Sequence, residues 1–160
     1  MRKKLFSPLI FAILPMVLLL YQPSYAGEPS GLREKQRIYV PAYSHIYSGN
    51  RETPFLLTVT LSIRNIDPKR PIRIVLVDYY ETQGHLLKKF INDPVTLKPL
   101  ESLRYVIPEG DKSGGSGANF IVEWKADKPV NPPIVESIMI GTQAQQGISF
   151  TSRGHIIIPD

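Results

Sequence analysis

The sequence predicts an all-β chain: a single antiparallel β-sandwich, Ig-like in size, of seven to nine strands behind an N-terminal signal peptide. Three observations carry that expectation. Short runs rich in Val, Ile, Leu, Thr, Tyr and Phe recur from about Arg37 onward, each closed by Pro, Gly, Asp or Asn. No stretch after residue 26 carries a capped 3.6-residue apolar period of the kind an amphipathic helix needs. The first 26 residues differ in kind from everything that follows.

That opening has a basic head (Arg2, Lys3, Lys4), an uncharged run Leu5–Leu20, and an end at Pro23-Ser24-Tyr25-Ala26. Small residues stand at Ser24 and Ala26, the two positions a signal peptidase reads, so cleavage after Ala26 and a periplasmic or secreted destination are expected. An uncleaved anchor fits less well. The apolar run falls short of the ~20 residues of a spanning helix, and Pro8 and Pro15 interrupt it. Contact with the membrane is therefore expected only through the transient signal peptide. Residues 27–36, polar and bearing Gly and Pro, read as a flexible tether, and residues 37–160 as one sandwich domain without a repeat or internal boundary.

The clearest strand is Phe55–Asn65, where Phe55, Leu57, Val59, Leu61 and Ile63 alternate with Leu56, Thr58, Thr60, Ser62 and Arg64. Asp67-Pro68-Lys69-Arg70-Pro71 is a turn, because two prolines cannot continue a ladder. Ile72–Thr82 is apolar on both faces in its middle, as a central strand would be, and Gln83-Gly84 turns it into Leu86–Ile91. Val95–Leu97 and Leu103–Ile107 follow. The loop Pro108–Ala118 leads into Asn119–Ala126, which points Phe120, Val122, Trp124 and Ala126 one way. Ile134–Gly141 and a last run from Ile148, with Phe150, Ile156 and Ile158 on one side, complete the set. A small closed barrel is the alternative architecture.

Composition removes several function classes. Cysteine is absent, which excludes a lipid anchor, disulfides, blue copper, iron–sulfur clusters and thiol nucleophiles. Of 19 basic residues against 14 acidic ones, Arg2, Lys3 and Lys4 leave with the leader, so the remainder stands near neutrality. Pairs such as Lys69-Arg70 and Lys88-Lys89 are scattered among acids, so nucleic acid is not expected as a partner. His45, His85 and His155 show no metal-ligand spacing, and neither a metal nor another cofactor is expected.

Two features invite a binding role. The loop Gly110–Asn119 contains Ser113, Gly114, Gly115, Ser116, Gly117 and Asn119. It is not a P-loop, since Ser116-Gly117 stand where Lys and Ser/Thr are required. It is not a nucleophile elbow either, because Ala118 replaces the last glycine and a strand follows. It reads as a turn with positive φ angles or as a backbone cradle for a ligand. The second feature is a period-two stripe of Tyr39, Pro41, Tyr43, His45 and Tyr47, expected on an edge strand because Pro41 cannot donate to a ladder. Such a stripe would stack against sugar rings or a peptide, or simply pack on the sandwich.

The chain also resembles a bacterial exported family described only as a domain of unknown function. The likeness rests on Arg37–Tyr47, Val77-Asp78-Tyr79-Tyr80, Leu97–Ser102 and Ser113–Trp124, the Gly-Gly-Ser-Gly-Ala-Asn-Phe loop being its most specific part. It implies a small exported single-domain protein and carries no catalytic or binding residues across. The expected function is thus a non-catalytic binding or interaction module for an envelope protein, peptide or glycan, with no catalytic residue assigned. The alternative is a small envelope hydrolase using Ser116 with a histidine.

Overall fold

A computed structural model describes residues 31–47, 52–143 and 146–158. The expected signal peptide and residues 27–30 of the expected tether lie outside the described residues. The strands, in chain order, are β1 (Arg33–Pro41), β2 (His45–Tyr47), β3 (Pro54–Leu56), β4 (Thr58–Arg64), β5 (Ile72–Tyr80) and β6 (Leu86–Lys89). They continue as β7 (Val95–Leu97), β8 (Ser102–Ile107), β9 (Asn119–Val130), β10 (Ile134–Gln143), β11 (Gln146–Arg153) and β12 (His155–Ile158). One 3-10 turn, Gly115–Gly117, interrupts them.

Every pairing among the described residues is antiparallel, as expected for a sandwich. One sheet has the order β12-β1-β9-β5-β6, with β7 also paired to β5; the other is β11-β10-β4-β8, and β2-β3 form a small ribbon. Each large sheet keeps its own edges, so the barrel alternative is not what forms. Strands outnumber the seven to nine distinguished in the sequence because β2, β3, β6, β7 and β12 have only three or four residues each.

Period two builds the core. Val59, Leu61 and Ile63 from β4 meet Ile38 and Val40 from β1 and Phe120, Val122 and Trp124 from β9, all buried. Strand β5 is apolar on both faces because a bulge between Ile74 and Leu76 leaves Val75 unpaired and resets the phase. Ile72 and Ile74 before it, and Val77 and Tyr79 after it, all reach the core. The first strand begins at Arg33 rather than Arg37. Gln36 is buried there and accepts the Trp124 indole N–H at 3.3 Å, so this part of the expected tether is held as a strand.

The last run divides between the sheets. β11 pairs with β10 and β12 with β1, and the corner is Gly154, whose N–H donates to the Val135 carbonyl at 2.9 Å. A Cβ at Gly154 would lie 2.5 Å from Ile38 Cγ2, so only glycine lets the backbone cross so closely.

The segment with Tyr39 and Pro41 is not an edge. β1 lies between β12 and β9. Pro41 is tolerated because it ends the strand, beyond Tyr39, where the β12 ladder has already stopped. Its carbonyl is satisfied across the sandwich by the Ser137 hydroxyl.

Candidate functional site: the glycine-loop end

One end of the sandwich gathers the start of β9, the end of β5, the β2-β3 ribbon and the glycine loop. The loop is fastened by main-chain bonds rather than left free. Ala42 N–H donates to Ala118 O at 2.8 Å, Ser44 N–H to Gly115 O at 2.9 Å, and Thr82 N–H to Gly114 O at 3.0 Å. The Thr82 hydroxyl adds two more bonds, donating to Gly114 O and accepting from Gly117 N–H, both at 3.0 Å. Asp111 closes the entry to the loop by accepting the Ser113 N–H at 2.9 Å.

Glycine is required here for two physical reasons. Gly115 has φ +76°, the left-handed region, and a Cβ on it would lie 2.4 Å from Thr82 Oγ1. Gly114 has an ordinary φ of −69°, so sterics alone decide. A Cβ there would fall 1.9 Å from Tyr79 Oη and 2.7 Å from Ser44 Oγ. Those two hydroxyls bond each other at 2.9 Å beneath the loop. Burial pushes the Tyr79 phenol above its ordinary pKa, against the Ser44 hydrogen bond that draws it down.

The expected site residues divide into two groups. Gly114, Gly115, Ser116 and Gly117 sit against the Ser44–Tyr47 segment, with Ser113 exposed at the loop's outer side and Asn119 opening β9 opposite Pro41 and Tyr80. His45 and Tyr47 complete this group. The His45 Nε2 and the Tyr47 hydroxyl share a hydrogen bond of 3.2 Å, and the rings meet edge to face at 5.3 Å. Tyr47 is 54% exposed, while His45 Nδ1 is buried with no hydrogen-bond partner.

Tyr39 and Tyr43 fall outside it. Tyr39 stands in the ladder opposite Ile121 and His155, and Tyr43 packs on Phe150 of β11 at 5.7 Å. The alternation ends where the strand does, at Pro41, so the stripe is not one continuous face. Ser44 and Thr82, which hold the loop together with Tyr79, had no local signal in the sequence, because their partners lie 32 to 35 residues away.

Among the described residues Ser116 has no hydrogen bond to a histidine. His45 bonds Tyr47, and His85 bonds Glu81. Among the described residues no group of three His, Cys, Asp or Glu side chains could hold a metal ion.

Residues 35–157 match the family described as "Protein of unknown function (DUF3124)", and the chain belongs to that family. A solved structure, "Crystal Structure of Thermotoga maritima 1070", is similar with a TM-score of 0.45 and 12% identity, covering 75% of this chain and 92% of that one. No curated protein matches.

Proposed function

We propose that this member of the family is an exported, non-catalytic binding module whose ligand site is the glycine-loop end. One observation carries the proposal: a buried ring nitrogen, His45 Nδ1, lacks a partner directly beside the exposed ring of Tyr47. An unsatisfied buried polar atom costs about 1–3 kcal/mol, which a ligand offering a hydrogen bond would offset once the His45 ring turns to present Nδ1 to it. The loop supplies a rigid wall, since its carbonyls are already engaged by Ser44 and Thr82. The Tyr47 face supplies a stacking surface for a sugar ring or a peptide side chain.

The signal peptide read in residues 1–26 makes the cell envelope the place of action and an envelope peptide or glycan the ligand class. The test is an amide NMR titration of the mature chain with muropeptides, which offer both sugar and peptide. Shifts confined to residues 44–47 and 113–118, and lost in His45→Ala/Tyr47→Ala, are expected. Shifts elsewhere, or none at millimolar ligand, would overturn the assignment.

A further inference from the structure

We propose a second, separate surface: the outer face of the four-stranded sheet docks the protein onto an anionic phospholipid bilayer. Register lays the face out. A cross-strand row runs Arg153 on β11, Glu136 on β10, Ser62 on β4 and Arg104 on β8, each directly opposite the next. Arg64 lies across this row, its Nε donating to Ser62 Oγ at 3.0 Å and its guanidinium 3.5 Å from Glu136. Alternation turns these side chains away from the core filled by Val59, Leu61 and Ile63.

Three guanidinium groups therefore lie on this face with one carboxylate, which pairs with Arg64. Arg104 and Arg153 form no ion pair among the described residues, and all three arginines are exposed. Between Arg64 and Arg104 lies a shallow trough of about 320 Å³ lined also by Thr60, Ser62, Ser102, Leu103 and Ile138. Guanidinium forks beside hydroxyl donors match the oxygens of a phosphate group.

The rest of the face decides between a soluble phosphate and a membrane. Ile140, Val106 and Ile134 are 48%, 44% and 42% exposed on the same side. A soluble phosphate would engage the arginines and leave these side chains in water. A bilayer interface takes both, with headgroup phosphates on the arginines and the isoleucines at the acyl boundary. Among the described residues no helix is long and apolar enough to cross a membrane.

The experiment is co-sedimentation of the mature chain with vesicles of phosphatidylcholine, with and without phosphatidylglycerol. Binding only to the acidic vesicles is expected. Arg64→Gln and Arg104→Gln should each weaken it about fivefold. Glu136→Gln, which removes the row's one carboxylate, should tighten it by about the same factor. A misfolded variant that exposed its core would also bind the neutral vesicles, so tightening confined to the acidic vesicles is the expected result. No binding to acidic vesicles, or binding indifferent to all three substitutions, would overturn the proposal. So would glycerol phosphate bound in solution with vesicles adding nothing, which would assign the trough to a soluble ligand. A dimer that buries Ile140 would overturn it too, in favour of a second copy.

Discussion

The two ends of this sandwich are closed by opposite chemistry. At the glycine-loop end, small residues let main chain lie directly on a buried hydroxyl pair, Tyr79 and Ser44. At the far end, two buried polar side chains tie three connections together. Asn65 Nδ2 donates to the carbonyls of Arg70, Leu97 and Lys98, and Asn65 Oδ1 accepts the Asp67 N–H. Asp67 accepts the N–H groups of Lys69, Arg70 and Asn131 and the Asn131 side-chain amide. That end has its hydrogen bonds matched, and the loop end keeps an unpartnered histidine nitrogen. The contrast motivates the proposed site: the closed polar knot serves stability, and the incompletely satisfied end is where we propose that a ligand binds.

The largest effect should come from breaking the close approach at the loop end. Gly114→Ala places a methyl inside contact distance of Tyr79 Oη and should cost roughly 3 kcal/mol in urea unfolding. Nearly as large is Asn65→Ala, which leaves three carbonyls without their donor and should cost roughly 2–3 kcal/mol. Its amide shift changes should stay at the far end, around Leu97, Lys98 and Asn131; spread to Gly114–Gly117 would show the ends are coupled.

Tyr79→Phe should be milder, about 1–2 kcal/mol, since it removes one buried hydrogen bond and strands the Ser44 hydroxyl.

The smallest and most selective lever is acid. Backbone donors, Asn131 first and Lys69 next, hold the Asp67 carboxyl below its ordinary value of 3.8. A depressed folded-state value means the stabilisation is present above pH 3.8 and lost as pH falls through the folded value. Glu123, depressed chiefly by its Arg37 hydrogen bond, acts in the same direction from 4.5. Amide exchange should therefore show the Asn65–Asp67 end opening first on acidification, and Asp67→Asn should flatten that slope. Simultaneous opening of both ends would remove the distinction.

Much of the sandwich is legible in the sequence where burial is one-sided. The Val59–Ile63 alternation and the Phe120–Trp124 alternation each specify a face, and the structure keeps both. The Ile72–Tyr80 strand declares its interior position but hides its bulge at Val75, because an extra residue leaves no mark in a run apolar on both faces. The crossing at Gly154 and the burial of Gln36 are equally hidden, since each depends on a partner distant in sequence, Ile38 and Trp124. For the candidate site, the glycine loop and His45-x-Tyr47 stand out locally. Their adjacency does not, because it is made by Ser44, Tyr79 and Thr82 across sheet register.

The most direct test is the native mass of the protein recovered from its own host, alongside the His45→Ala/Tyr47→Ala variant. The account predicts a base mass for Gly27–Asp160, with a reproducible added mass on the wild type that the variant lacks. Bare protein in both, or the same added mass on both, would contradict a ligand site at the glycine-loop end.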